Sequence, residues 1–232
     1  MSNGSRSIRR ESLPKTIIAP SLLAGDFGRF ADEARRAEDA GADWLHLDIM
    51  DGHFVPNISF GPGVAAAVKK CTRLPLDVHL MITHPQNYLE AFIKAGASSI
   101  SVHIESEHNV NETLGRIRKA GLRAGLAINP ETPLKALKKV DWSLIEIVLC
   151  MTVHPGFGGQ SFIDDVLPKV RELACRRGTD KRPYDIEVDG GINSQTAQRS
   201  AEAGANVMVA GTSLFSRKDM KKAVEEMRTA IS

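Results

Sequence analysis

The sequence predicts an α/β fold, a (β/α)8 TIM barrel built as a single domain, and three observations carry that expectation. An Ala-Gly pair recurs where an amphipathic stretch ends and an apolar run is about to start, with its glycine at 41, 96, 121 and 204. The separations of 55, 25 and 83 residues fit two, one and three copies of a unit of about 27 residues, a natural length for one strand plus one helix. Eight such units need about 217 residues, and Lys15 to Ser232 supplies 218, a better match to a closed barrel than to an open doubly wound sheet.

The N-terminal segment 1–15, "MSNGSRSIRRESLPK", has no apolar stretch and is expected to be a flexible tail ahead of the barrel at 16–232. A first strand follows at 16–20. "FGRFADEARRAEDAG" then reads as a helix with Phe27, Phe30, Ala34, Ala37 and Gly41 on one face. Gly41 closes it as a left-handed C-cap, and the same reading applies to Gly96, Gly121 and Gly204. Those glycines introduce strands at 44–49, 99–104, 123–128 and 206–210. Apolar runs at 76–81, 145–151 and 184–189 complete the set of eight, and no linker or second domain interrupts them.

Composition excludes several classes. The chain is 42% hydrophobic and 25% charged, and its net charge of +2 is too small for the clustered basic surface of a nucleic-acid binder. No apolar run approaches the ~18 residues of a membrane span. Cys71, Cys150 and Cys175 form no CxxC pair and cannot all be bridged within one chain, which favours a reducing, cytoplasmic setting.

Chemistry collects at the C-terminal ends of the strands, where barrel enzymes keep their sites. Side chains alternate across a strand, so His46, Asp48 and Met50 of "HLDIM" share one face while Leu47 and Ile49 take the other. "LDVHLM" repeats the phase with His79 and Met81, and "YDIEVDGG" ends in Asp189. Two imidazoles and two carboxylates at one barrel mouth suit a divalent transition ion such as Zn, Fe, Mn or Co better than Ca or Mg. Asp48 and Asp189 are also a carboxylate pair able to take a proton from a carbon beside a carbonyl and return one to its other face. Met50, Met81 and Met151 at equivalent strand ends are expected to form an apolar cap over the reacting carbons.

A second group of residues reads as an anion site. "HPGFGGQSF" after strand six brings Gly156, Phe157, Gly158 and Gly159; "DGGIN" after strand seven brings Gly190 and Gly191; "AGTSLF" after strand eight brings Gly211 and Thr212. Glycines there let backbone N–H groups approach a phosphate, with Gly158 singled out for close approach. No Lys or Arg sits at these strand ends, so backbone amides must do the work, and a Schiff-base lysine is disfavoured.

The stretches "APSLLAGDF", "LHLDIMDGHFVPN", "DVHLMI", "PGFGGQSF", "EVDGGI" and "VAGTSLF" occur in order, and from Ile17 to the C-terminus the chain resembles the ribulose-phosphate 3-epimerase family. The resemblance implies reversible C3 epimerisation of D-ribulose 5-phosphate and D-xylulose 5-phosphate, in the pentose phosphate pathway or the photosynthetic carbon cycle, through an enediolate. It also implies a divalent metal held at His46, Asp48, His79 and Asp189, substrate contacts from Ser21, His79 and Asp189, and a homo-oligomer. Residues 84, 154 and 212, here His, His and Thr, differ from the commoner family choices. Three rivals stand beside this reading: a relative acting on another ketose phosphate such as allulose 6-phosphate, a metal-dependent hydrolase, and a non-catalytic sugar-phosphate binder.

Overall fold

Each apolar run becomes a strand beginning within two residues of its expected start: β1 Ile17–Pro20, β2 Leu45–Met50, β3 Leu76–Met81, β4 Ser99–His103, β5 Arg123–Ile128, β6 Ile147–Met151, β7 Asp185–Asp189 and β8 Val207–Ala210. The computed structural model describes residues 15–179 and 184–232; the tail expected over 1–15 lies outside them apart from Lys15. The strands form one parallel sheet in the order β1-β8-β7-β6-β5-β4-β3-β2. Between β1 and β2 the ring is closed by an isolated bridge from Ser21 to His46 and by the Asp43 N–H donating to the Ile18 carbonyl at 3.0 Å.

The helices are α1 Phe30–Asp39, α2 Pro62–Lys69, α3 Leu89–Lys94, α4 Val110–Lys119, α5 Leu167–Arg177, α6 Ser194–Glu202, α7 Thr212–Phe215 and α8 Met220–Ala230. The glycines at 41, 96, 121 and 204 have φ of 86°, 93°, 81° and 105°, the left-handed conformation that ends a helix without a Cβ clash. Two details depart from the sequence expectation. Phe27 lies in a 3-10 turn ahead of α1, because the Asp26 carboxylate accepts the Gly28 N–H and starts that turn separately. It is therefore 49% exposed and packs tilted on Phe30 and edgewise on Phe60, while Ala34 and Ala37 alone take the buried face of α1. Between β5 and β6 there is no α-helix, only 3-10 turns at Leu134–Lys139 and Trp142–Leu144. Pro130 and Pro133 lack N–H donors and restrict the residues before them, which disfavours an α-helical start there.

Strand alternation decides what lies inside the ring. Leu45, Leu47 and Ile49 face outward and join the main apolar core between barrel and helices, as do Leu76, Val78 and Leu80 of β3. Fully burying one such side chain is worth about 1.5–3 kcal/mol, so the register is firmly held. The opposite phase then has to point inward. It carries His46, Asp48, Asp77, His79, Ser99, Ser101, His103 and Glu187, all buried, which makes one side of the barrel interior polar. The rest of the interior is apolar, with Ile17, Ala19, Val207 and Val209 in one cluster and Ala127, Leu149 and Met151 in another.

Asp43 fastens the seam. Its carboxylate accepts the Ile18 N–H at 3.0 Å, Lys15 Nζ at 2.9 Å and Arg228 Nη2 at 2.9 Å, tying β1 to the end of α8. Burial opposes its charge, but these donors prevail and hold its carboxyl below the ordinary 3.8. A carboxyl with a lowered folded-state pKa adds stability above the unfolded value and loses it as pH falls through the folded one. Asp43→Ala is expected to cost about 1–3 kcal/mol at pH 7, with the difference from the parent shrinking below pH 3.8. Urea denaturation of both proteins at several pH values checks this, and a pH-independent difference would contradict the assignment.

Candidate active site

The inward rows of β2, β3 and β7 deliver four polar side chains to the floor of a cavity of about 240 Å³ at the C-terminal ends of the strands. His46 Nε2 is 3.4 Å from Asp48 Oδ1 and 3.9 Å from Asp189 Oδ2. His79 Nδ1 is 3.2 Å from Asp48 Oδ1 and 3.7 Å from Asp189 Oδ2. One donor atom from each of the four lies within 4.8 Å of all the others. The two aspartates belong to strands separated by β8 and β1, so only barrel closure brings them together.

Each group is held by a partner outside the quartet. Ser21 Oγ donates to Asp48 Oδ2 at 2.6 Å. His46 Nδ1 is 2.7 Å from Asp77 Oδ2 and 3.3 Å from Glu187 Oε1, and Asp77 Oδ1 accepts from Ser99 Oγ at 2.5 Å. With Nδ1 committed to Asp77, His46 Nε2 is a buried nitrogen with no hydrogen-bond partner, aimed at the two aspartates. Sequence reasoning missed Asp77, Ser99, His103 and Glu187. The signal was present, since each keeps the same period of two as the residues that were found.

Electrostatically the cluster holds more acids than positive charge to balance them. Burial opposes ionisation of Asp48, but His46 and His79 beside it outweigh that and hold its carboxyl far below the usual range. Burial, reinforced by the negative Asp48, pushes Asp189 up to about 8. Burial and the neighbouring Asp77 carboxylate likewise hold Glu187 well above the ordinary glutamic acid. For His46, burial opposes charging, yet Asp48, Asp77 and Glu187 prevail and raise it well above an ordinary histidine. His79, deeply buried, is lowered to about 4. Two consequences follow. Without an ion between them the two carboxyls are pushed in opposite directions, Asp48 toward the ionised form and Asp189 toward the neutral one. A cation is also strongly favoured in their midst.

The donor set fits a small divalent ion. Two imidazole nitrogens and two carboxylate oxygens around a tetrahedral centre with bonds near 2.0 Å would sit about 3.3 Å apart. The four nitrogen–oxygen separations of 3.2 to 3.9 Å are close to that, and the remaining two pairs lie within 4.8 Å. The partnerless His46 Nε2 is the position such an ion would satisfy.

Above this floor the cavity is lined by Met50, Met81 and Met151 and by the loops after β6, β7 and β8. Met50 and Met81 pack with Val55, and Met151 with Val153, so the expected cap is assembled from two small clusters. Gly156, Phe157, Gly158 and Gly159, then Gly190 and Gly191, then Gly211 and Thr212 all line the same cavity. Among its described lining residues there is no Lys or Arg, and Asp48 and Asp189 are the only acids. His46 and His79 lie beneath its surface, fully buried. His154 is outside, on the rim, 3.1 Å from Glu131.

Further polar side chains shape these loops. Asn57 Nδ2 donates to the Gly156 carbonyl at 2.7 Å, and Gln160 Nε2 to the His154 and Phe157 carbonyls at 2.6 and 2.9 Å. The Asp51 carboxylate accepts the N–H groups of His53, Phe54 and Thr83, each at 2.8 Å, and so secures the loop after β2. The close approach expected at Gly158 is to the phosphate; within the protein itself that position is open. A Cβ at Gly158 meets nothing within 4 Å, whereas one at Gly191, where φ is +65°, would come within 2.6 Å of the Phe162 N. Gly191→Ala is expected to cost roughly 1–3 kcal/mol through strain and to weaken anion binding, with Gly158→Ala near the parent in melting temperature. Equal melting temperatures for the two variants would reverse this ranking.

Comparison with known proteins adds independent findings. Residues 17–215 match the model of the ribulose-phosphate 3 epimerase family. The chain is 48% identical over 214 residues to the ribulose-phosphate 3-epimerase of Bacillus subtilis (strain 168), covering 91% of this chain and 97% of that protein. It is 46% identical to the ribulose-phosphate 3-epimerase of Synechocystis sp., covering 92% and 94%. With the chloroplastic ribulose-5-phosphate-3-epimerase of Arabidopsis thaliana it shares 42%, covering 97% and 81%. Among solved structures, a 3-hexulose-6-phosphate synthase superposes with a TM-score of 0.69 at 16% identity, covering 93% of this chain and 100% of that one. At that identity the likeness speaks to the barrel alone.

Proposed function

Because the chain belongs to the ribulose-phosphate 3-epimerase family, we propose that it interconverts D-ribulose 5-phosphate and D-xylulose 5-phosphate, with Asp48 and Asp189 as the acid/base pair. The observation that carries the mechanism is the pair itself. Asp48 and Asp189 place two carboxyl groups at the floor of one cavity, with a donor atom of each within 4.8 Å of the other and of both imidazoles. An ionised Asp48 takes the C3 proton, and the electron pair of the broken C–H bond moves toward the C2 carbonyl to give an enediolate. Protonated Asp189 returns a proton to the other face of C3, which inverts the carbon. The other epimer enters with the roles exchanged.

His46, Asp48, His79 and Asp189 would hold a divalent metal, Zn, Fe, Mn or Co. When bound, such an ion supplies positive charge to the oxygens of the developing enediolate. The chain's own groups do the rest. Ser21 holds Asp48 Oδ2, Asp77 orients His46, and Met50, Met81 and Met151 keep water from the reacting carbons. Backbone amides of loops 156–159, 190–191 and 211–213 receive the phosphate, in a cavity whose described lining has no cationic side chain.

The rivals separate on one experiment. In D2O an epimerase introduces deuterium at C3, a hydrolase releases phosphate, and a binder does neither. The hydrolase reading also wants a further general base, and the cavity lining has no third carboxylate among the described residues. If remote phosphate contacts position the reacting centre, the dephosphorylated pentulose should lose turnover as well as affinity. Comparable kcat/KM on the two compounds would rule out the phosphate site. Among the described residues no helix is long and apolar enough to cross a membrane, and the three cysteines are free. We read the enzyme as cytoplasmic and homo-oligomeric, the latter by family resemblance.

A further inference from the structure

A histidine and a glutamate at the end of β4 have no role in the mechanism above. His103 is fully buried inside the barrel, next to His79. Its Nε2 lies 2.8 Å from His79 Nε2, and its Nδ1 lies 3.0 Å from Glu105 Oε2. The other Glu105 oxygen, Oε1, accepts the Asn129 N–H at 2.9 Å and the Thr132 hydroxyl. Three donors converge on that carboxylate. Sequence reasoning passed over "SVHIE", although Ser101, His103 and Glu105 alternate in the same way as the quartet's residues on β2, β3 and β7.

We propose that His103 and Glu105 are positioning residues that fix the tautomer of His79, leaving its Nδ1 bare toward Asp48 and Asp189. The reasoning is one of proton count. Two ring nitrogens 2.8 Å apart share one hydrogen, so one donates and the other accepts. Glu105, whose oxygens serve as acceptors, takes the His103 Nδ1–H, and this assigns His103 Nε2 the acceptor's part toward His79. His79 must then donate from Nε2, and its Nδ1 keeps the lone pair. The opposite arrangement would aim an N–H at the quartet and close it to a cation. His46 reaches the same outcome by another route, with Nδ1 bound to Asp77 and Nε2 bare. The two imidazoles thus turn opposite ring nitrogens, Nε2 of His46 and Nδ1 of His79, toward the same point. A side chain hydrogen-bonded behind a ligating histidine typically contributes 10–100-fold to metal affinity.

The inference rests on reading the quartet as a metal site, so the test has one arm with metal and one without. Chelator-stripped parent, His103→Phe, His103→Gln and Glu105→Ala proteins are titrated with Co(II) and followed by visible absorption, with melting curves to establish folding. His103→Phe and Glu105→Ala should bind Co(II) roughly 10–100-fold more weakly. His103→Gln, whose amide oxygen can accept the His79 proton, should regain most of the affinity. In the metal-free arm, long-range 1H–15N spectra of the stripped parent should give His79 as the Nε2–H tautomer, and His103→Phe should lose that single-tautomer signature. Co(II) affinity equal in folded parent, His103→Phe and Glu105→Ala, or a His79 proton on Nδ1 in the parent, overturns the proposal. A parent that binds no Co(II) removes the metal reading instead, and the tautomer spectrum then decides the relay by itself.

Discussion

Asp48→Asn and Asp189→Asn are each expected to lower interconversion of the two pentulose phosphates by roughly 10²–10⁴-fold, the usual contribution of a positioned acid or base. Asparagine keeps the size and an oxygen donor of the aspartate it replaces but cannot carry the proton. The partial reactions should distinguish the two variants. A protein that retains the base for one epimer can still exchange that epimer's C3 proton with deuterated solvent without inverting it, whereas the other epimer shows neither exchange nor conversion. Ser21 bonds Asp48 Oδ2, so Asp48→Asn also changes a buried hydrogen bond, and melting curves must accompany the assay. Metal content is measured in both variants, because a ligand carboxylate supplies charge as well as an oxygen. Near-parental rates in both variants with metal retained would falsify the two-aspartate mechanism and return attention to His46 and His79.

Removing the metal is expected to have the second large effect, abolishing turnover while leaving the barrel folded. The donor atoms sit at the ends of strands whose outward faces carry the main apolar core, and none of that core touches the quartet's chemistry. Chelated protein should keep its far-UV circular dichroism and lose activity, which returns on adding Zn, Mn, Fe or Co. Ion binding at 100 times its Kd adds about 2.7 kcal/mol to folding stability. For a domain of this size that corresponds to a rise in Tm of roughly 5–10 °C. Full turnover in protein shown to be metal-free would rule out the metal assignment, whatever the melting curve.

Much of the site was legible because strand periodicity is a local property. His46, Asp48 and Met50 on β2, and His79 and Met81 on β3, could be put on one face by counting in twos, and the glycine pairs could be placed at loop starts by their neighbours. The same counting puts Asp77 and Glu187 on that face too, yet nothing local singled them out. Asp77 looks like any buried strand aspartate until the β2–β3 register sets it beside His46. Gly158 and Gly191 look alike in sequence, and only the path of residue 162 separates the one that tolerates a Cβ from the one that does not.

By itself, then, the sequence determined the eight-unit barrel, the inward phase of each strand, and which residue types reach its mouth, because all three follow from chain length, helix caps and alternation within a few residues. Tertiary structure alone decided which of those residues touch. Asp48 and Asp189, far apart in the chain, meet only because the ring closes across the Ser21–His46 bridge. The opposite shifts of their carboxyls then follow from one buried volume shared with two imidazoles. Burial and distance set charge states, and neither is a property of any short stretch of sequence.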